Sequence, residues 1–424
     1  MNSRERVRLT LNHQEPDRVP LDLGASPVTG MHVSSVYKLR QALGLDSPGT
    51  PVKVGEPYQM LGEIGPDLLD ALGADVVPLW GRQTMFGYPL EDWKPWTFFD
   101  GTPVLVPGGF NTHPEPNGDI LMYPEGDRSL PPSGRMPAGG FYFDAVVRQP
   151  PIEEDRLDPA ENLEEIQLIS DADLAYYERE AQRLFTHTDK ALLGNFGGTG
   201  FGDIALVPGI QLRHPKGIRD MTEWYMSTVT RRDYIWKVFE GQCEIGLENL
   251  KRIHARVGEK IHILYVSGTD FGAQNGPFIA PKAYRDLYQP FHKIINDWVH
   301  ENTSWKTFIH SCGSVVKLYP DYIAAGFDIL NPVQTSAAGM DPNTLVEEFG
   351  ERVTFWGGGV DTQGTLPFGT PEEIRTQVCE RMKIFGRGGG FVFNPIHNVQ
   401  AGIPVENLLA LYQAVEAYRH YPLG

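Results

Sequence analysis

The chain has 424 residues, 41% of them hydrophobic, enough to bury a full core as two average domains or one large barrel. With 54 acidic against 37 basic side chains, its net charge of −17 argues against a surface for nucleic acid or an anionic membrane, though not against small anionic molecules, which feel only the local field. Three scattered cysteines, a charged start (M-N-S-R-E-R-V-R-L-T-L) without an apolar signal core, and no apolar run long enough for a bilayer give the expectation of a cytoplasmic protein without a disulfide framework.

In chain order, residues 4–12 read as a short helix with Ser3 as N-cap, stopped by Pro16 and Pro20. V-P-L-D-L at 19–23 reads as a first strand, 34–43 and 66–72 as helices, and 74–80 as a strand with Asp75 near its start. Residues 87–150 change character. They are rich in Gly, Pro and aromatics, with short strand-like pieces at 103–106 and 119–123, and read as a β-hairpin insertion within one domain spanning 1–424. The aromatic knot R-M-P-A-G-G-F-Y-F-D at 135–144 reads as a lid or flap rather than as chemistry, and 153–165 as an acidic surface connection.

From Asp171 the pattern is regular. Helices are expected at 171–186, 217–228, 232–257, 281–301, 315–325, 342–349, 371–385 and 404–420. Strands are expected between them at 191–196, 261–266, 305–310, 327–330, 353–356 and 391–394. Alternating strands and helices require parallel strands joined by crossovers. With the two early strands the count approaches the eight of a (β/α)8 TIM barrel. A doubly wound sheet is the alternative, and no G-x-G-x-x-G follows a first strand to support it.

In such a barrel, catalytic groups lie just past the C-terminal ends of the strands. The chemistry-bearing residues fall there: Asp270, Gln274 and Asn275 after 261–266; His310 and Cys312 after 305–309; Asn331 and Gln334 after 327–330; Asp361 after 353–356; Asn394 and His397 after 391–393. In W-K-T-F-I-H-S-C-G, His310 and Cys312 stand at i and i+2 of an extended segment and point the same way, and Gly313 lets the backbone turn away behind them. With His397 as third ligand they make a catalytic rather than a structural zinc pattern, since three protein ligands leave one position open. An H-x-C pair alone fits a buried packing cysteine equally well. Asp270 and Asp361 also fit loop residues that cap helices. Cys243 and Cys379 read as packing, and His254, His262, His292 and His300 as structural. The Gly-rich G-N-F-G-G-T-G-F-G-D at 194–203 lacks the G-K-[ST] ending of a nucleotide loop and reads as a flexible pocket wall.

Six stretches together carry a resemblance: H-Q-E-P-D-R-V-P at 13–20, F-I-A-P-K-A-Y-R-D-L-Y-Q-P at 278–290, H-S-C-G from His310, G-F-D-I-L-N-P-V-Q from Gly326, G-G-V-D-T from Gly358, and F-N-P-I-H-N-V-Q-A-G-I-P-V-E-N from Phe393. The chain resembles the uroporphyrinogen decarboxylase superfamily, which includes zinc-dependent corrinoid methyltransferases. The resemblance implies a distorted TIM barrel with its site at the C-terminal mouth, and a homodimer. The methyltransferases share H-x-C, matched by His310 and Cys312; their third ligand is usually a Cys where this chain has His397. The decarboxylases have a His there, within F-N-x-G-H-G, and an N-terminal R-Q-A-G-R whose arginines hold substrate carboxylates. Here residues 20–29 read P-L-D-L-G-A-S-P-V-T instead.

The resulting expectation is a Zn2+ enzyme that moves a methyl group between a small methylated substrate or thiol and a corrinoid on a separate protein. The chain has no D-x-H-x-x-G with which to hold a corrinoid itself. His310, Cys312 and His397 would bind the metal, Asp270 and Asp361 would act catalytically, and Gln274, Asn275, Gln334 and Asn394 would contact substrate. The alternatives are a decarboxylase-type lyase, with Asp270 or Asp361 stabilising a protonated intermediate, and a non-catalytic barrel that binds a metal or ligand.

Overall fold

The computed structural model describes residues 1–423. Seven parallel strands form one curled sheet: β1 (Val76–Trp80), β2 (Ala191–Asn195), β3 (Ile263–Ser267), β4 (Lys306–His310), β5 (Ile329–Asn331), β6 (Thr354–Trp356) and β7 (Phe391–Val392). Each pairs with its neighbours in sequence order, from β1 to β7. The eighth place is filled by 19–23, the V-P-L-D-L segment. On one side Asp22 N donates to Phe393 O and Phe393 N to Pro20 O; on the other, Asp75 N donates to Leu21 O. The ring is thereby closed as a distorted TIM barrel. This stave makes only an isolated bridge, Leu21 to Phe393, and Pro20 has no N–H to extend the ladder.

The barrel interior follows from strand alternation. Ala191 and Leu193 of β2, Ile263 of β3, Phe308 of β4, Ile329 of β5, Trp356 of β6 and Val392 of β7 meet in one buried cluster. Val7 and Leu11 of the N-terminal helix Ser3–Leu11 belong to that cluster, so the helix plugs the base of the barrel. Its cap is Asn2 rather than Ser3: Asn2 Oδ1 accepts from Glu5 N and the Glu5 carboxylate accepts from Asn2 N. Ser3 is buried instead, with its hydroxyl 2.8 Å from Asp75 Oδ1.

Three expected helices differ, each for a local reason. The expected 217–228 helix starts later, as Met221–Thr230, because Gly217 has φ +73 and Asp220 is the N-cap. The expected 281–301 helix breaks at Tyr288 into Pro281–Leu287 and Gln289–Asn302; Pro290 lacks the N–H for the helical bond and its ring crowds the preceding turn. Pro320 has the same effect on 315–325, which opens as a single 3-10 turn, Val316–Leu318, before Tyr319–Ala324. Ser170, not Asp171, caps Asp171–His187, accepting from Asp173 N at 3.1 Å.

The insertion is a pair of small sheets, the first of which reaches outside 87–150. Lys94–Thr97 and Pro103–Val106 form a hairpin, and Pro103–Val106 also pairs in parallel with Val52–Glu56, which in turn pairs with Leu61–Gly62. V-K-V-G-E alternates buried and half-buried side chains, the period-two pattern of a one-faced strand. Ile120–Met122, Gly134–Met136 and Asp144–Ala145 make the second sheet. The aromatic knot packs Phe141 on Phe98, with ring centres 5.9 Å apart, and His32 Nε2 lies 2.9 Å from Phe141 O. Phe141 to Asp144 face the barrel mouth and roof its cavity, as expected of a lid.

Candidate metal centre

The last residue of β4 is His310, and the chain leaves the barrel through Ser311, Cys312 and Gly313. Gly313 has φ +86, and a Cβ there would run into the backbone of Gly272. The loops after β3 and β4 therefore touch backbone to backbone, tied by Ser314 N to Ala273 O at 2.8 Å and Phe271 N to Ser311 Oγ at 3.0 Å. His397 follows β7 with φ +67, a left-handed conformation rare for a residue with a side chain. One ligand atom from each of His310, Cys312 and His397 lies within 4.8 Å of the other two. Among the described residues they are the one His/Cys/Asp/Glu group so disposed.

These donors fit a cation, and His310 is already set for one. Asn331 Nδ2 donates to Trp356 O at 2.7 Å, which fixes the amide and turns Asn331 Oδ1 toward His310 Nδ1. The ring proton is held on Nδ1, and Nε2 presents its lone pair to the Cys312 Sγ, 3.3 Å away. His397 is not set in the same way. Its Nδ1 accepts from Asn398 N at 2.8 Å, so the neutral ring carries its proton on Nε2. Binding a cation through Nε2 means moving that proton and giving up this bond.

Burial lowers the His310 pKa to about 4, and burial with the neighbouring His310 lowers that of His397 to about 3, so both rings are neutral at pH 7. Burial and the nearby Asp270 push the Cys312 thiol well above its ordinary value. A free thiol here is protonated and unreactive, and it becomes a thiolate when a cation offsets the charge.

The remaining expected residues separate into three groups. Asp270 joins the centre: Oδ1 accepts from Cys312 N at 2.8 Å and lies 3.7 Å from His310 Nε2, and burial raises its pKa. Gln334 and Asn394 stand behind it. Gln334 Oε1 accepts from Gly313 N at 2.8 Å, and Asn394 Nδ2 reaches Asp22 O and Thr29 O, both at 3.2 Å, so Asn394 clamps the ring closure instead of facing the cavity. Gln274, Asn275 and Asp361 do not line the cavity. Gln274 and Asn275 form the exposed tip of a hairpin, and Asp361 Oδ1 accepts from Gln363 N at 3.0 Å as a loop cap.

The centre opens into a cavity of about 1160 Å³ between the barrel mouth and the insertion. The Gly-rich loop after β2 forms part of its wall, as expected. That loop ends in Asp203, which sequence reading passed over. Burial and the charge of Asp270 raise Asp203 to about 8. Tyr265 on β3 was also missed. A Cβ on Gly268 would run into both Tyr265 Oη and Asp203 Oδ2, so the two oxygens flank one point of the wall. The rule that singled out Asp270, an acid just past a strand, applies equally to Asp203, and Tyr265 shares the inward face with Ile263.

Comparison with known proteins bears on the same region. Residues 266–418 match the family model "Uroporphyrinogen decarboxylase (URO-D)". A uroporphyrinogen decarboxylase from Pseudoalteromonas atlantica is 29% identical over 166 residues, 37% of this chain and 45% of that protein. One from Coxiella burnetii is 35% identical over 86 residues, 19% of this chain and 23% of that protein. The matches thus span less than half the length of these relatives. A solved structure described as a methyltransferase from Methanosarcina mazei superposes over 99% of both chains with TM-score 0.54 at 15% identity, a likeness of fold. No helix among the described residues is long and apolar enough to cross a membrane. The matched segment carries β4 to β7 with His310, Cys312 and His397, so the likeness to the uroporphyrinogen decarboxylase family falls on the part of the chain that builds the centre.

Proposed function

We propose that the protein is a zinc-dependent methyltransferase that moves a methyl group between a small methylated substrate or thiol and a corrinoid carried by a separate protein. The observation that carries this reading is the convergence of two neutral imidazoles and a thiol within 4.8 Å of one another, with His310 and His397 lining the cavity. A zinc ion bound there lowers the pKa of a thiol in its open position and keeps it ionised. His310 supplies a lone pair whose direction Asn331 fixes. Gln334 and Gly272 hold the turn that aims Cys312. Asp270, with its raised pKa and its hydrogen bond from Cys312 N, receives the proton that an incoming thiol gives up. The insertion adds Phe141, Tyr142, Phe143 and Asp144 to the cavity wall.

The decarboxylase reading rests on the family match over 266–418. Against it, the cavity lining contains a single basic side chain, Arg82, already ion-paired to Asp173 at 2.8 Å. A substrate bearing many carboxylates finds no counter-charge there. Metal analysis of protein purified without chelators tests the proposal: about one zinc per chain is expected, falling strongly in Cys312→Ser. No zinc, or equal zinc in the variant, overturns it. Incubation with uroporphyrinogen is expected to yield no coproporphyrinogen, and its formation would establish the lyase instead.

A further inference from the structure

The charge on the cavity wall is lopsided. Glu56, Asp144, Asp173, Asp203 and Asp270 line it against Arg82 alone, and Arg82 is taken up by Asp173. Even a divalent cation at the centre, itself partly offset by the Cys312 thiolate, leaves carboxylates in excess. Asp203 Oδ1 accepts from Ala205 N at 3.0 Å, yet no salt bridge reaches the carboxylate, and Oδ2 stands beside Tyr265 Oη at the Gly268 wall. Aromatic side chains share the wall, with Tyr58, Trp80, Tyr142 and Tyr177 among them. Carboxylates without counter-charges beside aromatic faces, in a cavity this large, are the chemistry that receives an organic cation.

We propose that the small ligand of this cavity is itself a cation, an ammonium-bearing thiol or thioether, with its sulfur at the His310–Cys312–His397 centre and its ammonium group beside Asp203 and Tyr265. The sulfur half rests on the zinc reading above. The cationic half rests on the wall alone. The high pKa of Asp203 agrees with this: with no cation present, a proton takes its place.

The test is a charge series at constant length on the wild-type, zinc-loaded protein. Cysteamine, 2-mercaptoethanol and 3-mercaptopropionate are titrated by calorimetry, and choline is titrated into both metal-stripped and zinc-loaded protein. Cysteamine is expected to bind about tenfold or more tighter than 3-mercaptopropionate, with 2-mercaptoethanol between them. Choline is expected to bind with or without zinc, and about tenfold more weakly to Asp203→Asn, whose folding is checked by its melting temperature. Equal or tighter binding of 3-mercaptopropionate, together with no binding of choline, overturns the cationic ligand and leaves the zinc reading standing. Choline binding without any thiol binding overturns the zinc reading and leaves the cationic ligand standing.

Discussion

Three carboxylates at opposite ends of the barrel, one at the base and two at the mouth, meet opposite fates. At the N-terminal end, Asp75 is fully buried and saturated: Oδ1 takes Arg6 Nη1 at 2.6 Å, Ser3 Oγ at 2.8 Å and Arg18 Nη2 at 3.3 Å, and Oδ2 takes Leu21 N at 3.0 Å. It joins the plug helix, the closing stave and β1 at one point. At the C-terminal end, Asp203 and Asp270 have a backbone N–H each and no salt bridge to Lys or Arg. The same residue type is used once to complete the structure and twice to leave it incomplete. An unpaired buried carboxylate costs stability and persists where a ligand offsets it, so the mouth, not the base, is where this molecule meets its chemistry.

The largest expected effect tests the base. Asp75→Ala leaves Arg6 with Asp17 as its one carboxylate and removes the acceptor shared by Ser3 Oγ, Arg18 Nη2 and Leu21 N, and is expected to cost about 3–5 kcal/mol in denaturant unfolding. Asp203→Asn is expected to cost nothing or to stabilise the protein. If both substitutions cost the same, the contrast between the two ends is lost. Next come the ligands. His310→Ala and Cys312→Ser are expected to abolish stoichiometric zinc. Asn331→Ala, which frees the His310 tautomer, is expected to weaken zinc about 10–100-fold by competition with a chromophoric chelator.

At the mouth two pH dependences oppose each other. His310 and His397, at about 4 and about 3, stay neutral in the folded protein where the unfolded chain takes up protons below about 6.5. Stability is therefore expected to fall as the pH drops from 6.5 toward 4. Asp203, at about 8, does the reverse: the folded protein keeps a proton that the unfolded chain has lost above 3.8, so stability falls as pH rises toward 8. Asp203→Asn is expected to flatten that neutral-to-alkaline slope, by at most about 1.4 kcal/mol per pH unit, in melts between pH 6 and 8. The smallest effect is at Asp361. Asp361→Asn is expected to change stability by less than about 1 kcal/mol and zinc content not at all, since Asp361 only caps its own loop.

The barrel was legible because alternating strands and helices leave few topologies, and the meeting of His310, Cys312 and His397 because strand ends converge on one mouth. What was not legible depended on side chains meeting over long sequence distances. Nothing near Asn394 signals that it clamps Asp22 and Thr29, and nothing near Gln334 signals that it caps Gly313. Asp361 fits the second of its two sequence readings: it lies off the cavity lining, and an Asp two residues before a free N–H folds onto its own loop. Val52–Glu56 escaped because its partner, Pro103–Val106, lies inside the insertion, so the sheet is built from both sides of its expected boundary.

The closing stave also dictates when the protein can fold. Residues 19–23 wait for Phe393, the far side of the seam, and Gly30 N waits for Asn398 Oδ1. During synthesis the ring cannot shut until Phe393 has left the ribosome. Contacts this distant in sequence slow folding and prolong exposure of apolar surface.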